Sequence, residues 1–192
     1  MSIDRERFYY LYLLNYFKQS APKNHRILDF APSHMFSEKL RKTPSVLYTS
    51  ADLFRTDMDL QIDLCDMRQV PLASYDVVIC SHILEHVDKP DRALSEIFRI
   101  MKYDAIAIIM VPLFWDVKET VEEAGADSEE LRYKFYGQAD HVRLFSKSDF
   151  IARLHNAGFL VSQVTPNKLD NKMVRENAIS ENSILYVCSK IN

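Results

Sequence analysis

The chain reads as an α/β layer fold built on a mainly parallel sheet, and three observations lead there. Short apolar runs with strand character alternate with segments of helical period. The run Tyr75-Asp76-Val77-Val78-Ile79-Cys80 is nearly continuous in the way of a strand covered on both faces. The last two strand-like runs, 159–164 and 184–188, are separated by a polar stretch, 166–182, short of the length and pattern of a crossover helix, so they are expected to pair as an antiparallel hairpin.

Taken in order, residues 3–19 place Phe8, Leu11, Tyr12 and Phe17 at near-helical spacing, widened by Tyr9, Leu13 and Tyr16. This aromatic helix (1–22 with its flanks) either packs on the core or closes over a pocket, and Pro22 is expected to end it. Residues 26–31 form a short buried strand, and Ser33 is positioned to cap a helix through Lys42 that buries Phe36 and Leu40. A second strand over 46–51 ends in Asp52, and a weaker one follows over 59–64. After the strand at 75–80, Pro90 opens a helix on which Ala93, Leu94, Ile97, Phe98 and Met101 recur, leading into a buried strand at 105–111. Residues 115–130, from Trp115 onward, carry seven acids against one lysine and no apolar period, which predicts an exposed excursion. Ser146-Lys147-Ser148-Asp149 has the form of a capping box, opening a helix that Gly158 ends.

Composition narrows the function classes. The 192 residues suffice for one domain spanning 1–192 with its own core. With 24 basic and 27 acidic residues the chain lacks the positive excess of a broad nucleic-acid binder. Three widely spaced cysteines, Cys65, Cys80 and Cys188, fit a reducing compartment and small core positions, which points to the cytoplasm. The longest apolar stretches fall short of the roughly 20 residues that cross a bilayer, so no membrane insertion is expected. Asp4, Arg5, Glu6 and Arg7 precede the first of them, unlike a signal peptide. The three glycines, Gly125, Gly137 and Gly158, exclude any glycine-rich phosphate loop, leaving a cofactor without phosphate.

Several strings coincide with one family. Ile27-Leu28-Asp29-Phe30-Ala31-Pro32, the strand ending at Asp52, and Ser81-His82-Ile83-Leu84-Glu85-His86-Val87 after a buried strand resemble a class I S-adenosylmethionine-dependent methyltransferase. The resemblance covers about residue 26 to the C-terminus. It is nearest a bacterial branch of Methyltransferase-11-like sequences with a Phe-Ala-Pro first-strand loop and a string like Gly137-Gln138-Ala139-Asp140-His141-Val142-Arg143. It implies a Rossmann-like, doubly wound, seven-stranded sheet and S-adenosyl-L-methionine as cofactor. The loop with Asp29, Ala31, Pro32 and Ser33 would run beside the methionine part, chiefly through backbone. Asp52 would accept from both ribose hydroxyls, a task suited to a carboxylate's two oxygens. Asp63 with Leu64 would meet the adenine, Asp66 being the competing alignment, and Ser81 and His82 would line the reacting end. In place of the usual glycines stand Ala31-Pro32-Ser33, and Lys102-Tyr103-Asp104-Ala105 replaces a proline-glycine-glycine turn.

The reaction expected is methyl transfer to a small-molecule acceptor, a hydroxylated sugar or metabolite in that branch, under a cap formed by the insertion 112–145. Asp140 and His141 form a candidate carboxylate–imidazole base, with Arg143 for an anionic acceptor and a structural role for the string as the alternative. A catalytically silent cofactor-binding or interaction module is the rival class. His82-Ile83-Leu84-Glu85-His86 also matches the inverted zinc-peptidase pattern, which requires a helix and a third ligand. Because a strand precedes it and Asp88-Lys89-Pro90 interrupts it, Glu85 and His86 are expected to brace the loop, with no metal.

Overall fold

A computed structural model describes residues 4–20, 23–114, 116–123 and 125–190; Ile3, Pro22 and Trp115, each used above, lie outside them. Seven strands form one sheet in the order β3-β2-β1-β4-β5-β7-β6. Strands β1 (His25–Phe30), β2 (Val46–Asp52), β3 (Leu60–Gln61), β4 (Tyr75–Ser81) and β5 (Met101–Met110) run parallel. Strand β7 (Leu185–Lys190) is antiparallel to both β5 and β6 (Phe159–Val164), giving the expected C-terminal hairpin. Because the chain moves outward from β1 in both directions, the sheet has a switch point between β1 and β4, where such folds bind ligands.

The central strand β4 is buried along all but its last residue, including Asp76. Burial pushes the Asp76 carboxyl up, but Lys102 Nζ at 2.8 Å, the Arg26 N–H at 2.9 Å and Lys23 outweigh it and hold the group at about 2. Thus Lys102, where a turn was expected, belongs to a strand beginning at Met101 and neutralises the buried acid. The helix α1 (Asp4–Gln19) buries Phe8, Tyr9, Leu11 and Leu13, with Tyr9 edge-on to Phe36 at 4.8 Å, so its aromatic face is core. In α2 (His34–Arg41), Ser33 Oγ accepts from the Phe36 N–H, and Phe36 and Leu40 are buried. The helix α3 (Pro90–Ile100) carries its apolar stripe against β5.

Two local expectations need correction, and two short helices are additional. The strand over 59–64 shortens to Leu60–Gln61, because Asp63 turns the chain: its Oδ1 accepts from the Cys65 N–H at 2.7 Å. The insertion contains α4 (Glu129–Tyr136), whose signals were local: Ser128 caps it, two glutamates open it, and Gly137 closes it with φ 79°. At α5 (Lys147–Asn156), Ser146 Oγ accepts from the Asp149 N–H, but the return bond of the box is missing. Thr120 takes that place, its Oγ1 accepting from the Ser146 N–H at 3.0 Å and donating to Asp149 Oδ2 at 2.7 Å. A short α6 (Asn171–Glu176) also interrupts the polar stretch before β7. Among the described residues no helix is long and apolar enough to cross a membrane.

Candidate active site

The carboxyl ends of β1, β2 and β4 open onto a cavity of about 890 Å³, within the roughly 300–1,000 Å³ of small-molecule sites. Its walls include Phe30 and Ala31 at the end of β1, Asp52 to Phe54 at the end of β2, residues 62–66 after β3, His82 and Ile83 after β4, and His86 to Lys89 with Arg92. Asp140 reaches it from the insertion.

At the β1 end Ala31 has φ 48°, in the left-handed region that glycine normally fills. Its N–H still donates to the Ala51 carbonyl at 2.8 Å, so the strand pairing carries the chain through the turn. The Pro32 carbonyl accepts from Arg55 at 3.1 Å, and Arg55 is paired with Asp57. Asp52 Oδ1 accepts from the N–H groups of Phe54 at 2.7 Å and Arg55 at 3.0 Å, ordering the rim loop. At the adenine-side candidates, Asp63 is engaged through Oδ1 with Cys65, whereas both oxygens of Asp66 are held by Arg68 at 2.7 Å. His82, at φ 58°, follows β4 and sets its Nδ1 3.4 Å from Glu85 Oε1.

The structure therefore brings Ala31, Asp52, Asp63, Leu64, His82 and Asp140, with the alternative Asp66, to one cavity; Asp29, Pro32, Ser33, Ser81 and His141 are not among its lining residues. The Asp29 side chain is buried beneath the switch point, its Oδ2 accepting from the Tyr48 hydroxyl at 2.8 Å. Burial pushes the Asp29 carboxyl up to about 8; the Tyr48 bond opposes this and the Glu6 charge adds to it. The Pro32 carbonyl is engaged by Arg55, Ser33 Oγ caps α2, and Ser81 Oγ is buried without a hydrogen-bond partner among the described residues. His141 is 3% exposed, edge-on to His86 with ring centroids 4.7 Å apart, and is absent from the cavity wall. Burial lowers its pKa, as does the neighbouring His86. The His-x-x-Glu-His string lies on a 3-10 turn (Leu84–His86), too short to present both histidines as a helix would. Sequence reasoning missed Leu53 and Phe54, although an apolar pair directly after the β2 acid was a visible signal; Phe54 is 82% exposed at the cavity rim.

The sequence pattern of the family described as a methyltransferase domain matches residues 3–164, most of the chain. The chain belongs to that family. The sheet order and the reversed last strand agree with this. Among solved structures, the methyltransferase is similar to a putative methyltransferase of Bacillus halodurans C-125, with TM-score 0.59 and 16% identity over 95% of this chain and 99% of that one. It is similar to a SAM-dependent methyltransferase of Archaeoglobus fulgidus, with TM-score 0.55 and 17% identity over 95% and 92% of the two chains. A third is the 1,6-didemethyltoxoflavin-N1-methyltransferase of Burkholderia thailandensis, with TM-score 0.57 and 12% identity over 98% and 80%. At these identities the likeness is one of fold. No protein of curated function matches the methyltransferase.

Proposed function

We propose that this methyltransferase holds S-adenosylmethionine across the β1–β4 switch point, with the ribose at Asp52 and the adenine between Asp63 and Leu64, and methylates a small hydroxylated acceptor. The convergence of Ala31, Asp52 and His82, three successive strand ends, on one cavity carries this reading. The residues fit the group. Asp52 Oδ2 makes no hydrogen bond to the described residues and is an acceptor for a vicinal diol. Asp63 is the better adenine-side acid, because Arg68 occupies both oxygens of Asp66. Five aspartates line the cavity, Asp52, Asp63, Asp66, Asp88 and Asp140, against Lys89 and Arg92, a balance that favours a ligand carrying positive charge.

When bound, S-adenosylmethionine supplies a methyl group on a sulfonium that leaves as a neutral thioether. The chain's own work is then placement and exclusion of water. The left-handed turn at Ala31 brings main chain to the cavity wall, and the Leu53-Phe54 rim shields it. His82 and Asp140 face the cavity from opposite elements, and both are in place to receive the proton an acceptor hydroxyl loses. The insertion 112–145 forms the acceptor side through Asp140; no described residue of α1 lines the cavity. A small acceptor agrees with the Burkholderia structure, which holds bound 1,6-didemethyltoxoflavin and S-adenosylhomocysteine.

Calorimetry with S-adenosylhomocysteine tests the cofactor site. Asp52→Ala is expected to weaken binding by roughly 10- to 150-fold, the equivalent of about 1.5–3 kcal/mol for hydrogen bonds to a charged group. Equal affinity removes Asp52 from the site, and no binding at millimolar ligand refutes the cofactor reading. Transfer of labelled methyl to a panel of hydroxylated sugars and metabolites tests the acceptor class; label found only on protein or nucleic acid would exclude it.

A further inference from the structure

Beside the cofactor cavity, Glu85 and His86 from the 3-10 turn after β4 meet His141 from the end of the insertion. One potential ligand atom from each lies within 4.8 Å of the other two. The main chain holds this meeting rigidly. The Val142 N–H donates to the Glu85 carbonyl at 2.9 Å, and the buried Arg143 guanidinium donates to the carbonyls of Leu84 at 2.8 Å, Val87, and Asp88 at 3.2 Å. The three side chains are therefore placed before any ligand arrives.

Two features of the cluster call for a ligand. Glu85 is 1% exposed, yet neither carboxylate oxygen has a hydrogen bond among the described residues, the His82 Nδ1 lying 3.4 Å from its Oε1. His141 Nδ1 is likewise buried without a partner. Buried polar atoms are almost always satisfied, and an orphaned carboxylate is among the costliest exceptions. His86 supplies a third, independent sign: its Nδ1 lies 3.0 Å from the Asp140 carbonyl oxygen. An N–H donated there selects the tautomer whose Nε2 keeps its lone pair, the usual way a metal-binding histidine is oriented.

We infer that Glu85, His86 and His141 form a binding site for one divalent transition-metal ion of the zinc type. Two imidazole nitrogens and one carboxylate oxygen suit zinc or cobalt(II), whereas magnesium and calcium select oxygen ligands. The string read in the sequence as a loop brace thus gains the third ligand it lacked, from a segment 55 residues further along the chain. A peptidase arrangement does not result, because His82 stays outside the cluster and contacts Glu85 instead. Three protein ligands leave a coordination position open. His86 and Asp140 also belong to the cavity wall, so that position would accept water or an acceptor oxygen. This last step rests on the proposed function; metal binding itself does not.

The test uses the full chain, purified without a tag and stripped by a chelator. Zinc chloride is titrated calorimetrically, and cobalt(II) is followed through its visible absorption. One equivalent is expected to bind and to raise the melting temperature. Glu85→Gln, which preserves volume, and His86→Ala, at a partly exposed position, should each lower zinc affinity by about 100-fold or more, above the 10–100-fold typical of losing an outer hydrogen-bond partner. Asp52→Ala should leave zinc affinity unchanged. No binding at millimolar zinc, or undiminished affinity in both folded cluster variants, overturns the inference. S-adenosylhomocysteine calorimetry on the same samples separates the two readings: nucleoside binding without metal refutes the metal site alone, and metal binding without nucleoside refutes the cofactor site alone.

Discussion

Asp29 shows how a single residue couples the switch point to pH. Its native carboxyl, pushed by burial up to about 8 from an ordinary 3.8, keeps a proton that the unfolded chain releases. The native state therefore binds more protons between those values, and the stability contributed by this group falls as pH rises from about 4 to 8. Asp29→Asn keeps an acceptor for the Tyr48 hydroxyl and removes the titration. Urea denaturation of this variant should show a flatter stability profile from pH 5 to 8.5 and higher stability than wild type at the alkaline end. A parallel profile for the two proteins would refute the assignment. Ala31 carries a different cost, that of a Cβ at φ 48°. Ala31→Gly should leave stability unchanged or raise it by up to about 1 kcal/mol, and Ala31→Val should lower it, because relief of strain outweighs the added freedom of the unfolded chain. The same denaturation series reads both.

At the scale of elements, hydrogen bonds close the insertion on itself and tie it to the domain. Val121 and Leu144 bridge its two limbs, Arg143 grips the turn after β4, and Thr120 enters the cap of α5. Thr120→Val keeps the shape of the side chain and strips both hydrogen bonds, leaving the Ser146 N–H unpaired in a residue 1% exposed. The expected loss is about 1–3 kcal/mol, seen as a lower urea midpoint with an unchanged slope. No change would mean that the cap of α5 does not depend on the insertion. Sequence reasoning identified this cap by its spacing alone, and the spacing is local; the hydroxyl that completes it comes from 26 residues away.

For the whole molecule, the cavity lies where three strand ends and two connections meet, so ligand binding should stabilise the entire sheet. At S-adenosylhomocysteine one hundred times its dissociation constant, linkage gives about 2.7 kcal/mol, or a melting-temperature rise of about 5–11 °C for a domain of this size. A calorimetric scan checks it, and an unmoved transition would place the nucleoside elsewhere or nowhere. The rise should shrink in Asp52→Ala at the same ligand concentration, since a roughly 10- to 150-fold weaker site leaves only about 0.3–1.4 kcal/mol of linkage.

Burial periodicity and local capping made most of the architecture legible: the buried run of β4, the helical stripe after Pro90, the Ser33 cap and the closing hairpin are each written in neighbouring residues. The candidates Ala31, Asp52, Asp63 and His82 came instead from the resemblance to methyltransferases, and each follows or ends a strand on the carboxyl side of the sheet. Side-chain direction was not legible. The sequence places Asp29 and Ala31 two positions apart at the end of β1, and only the packed sheet turns the first toward Tyr48 and the second toward the cavity. Nor does it state that His141 closes on Glu85 and His86, because Arg143 and Val142 bring the insertion back across more than fifty residues to carbonyls of a single turn. The sequence alone determined which elements form and which residues stand at their ends, since those depend on local period and capping. Tertiary structure decided which of those residues face one another, since long-range packing and buried hydrogen bonds leave no periodic trace in the chain.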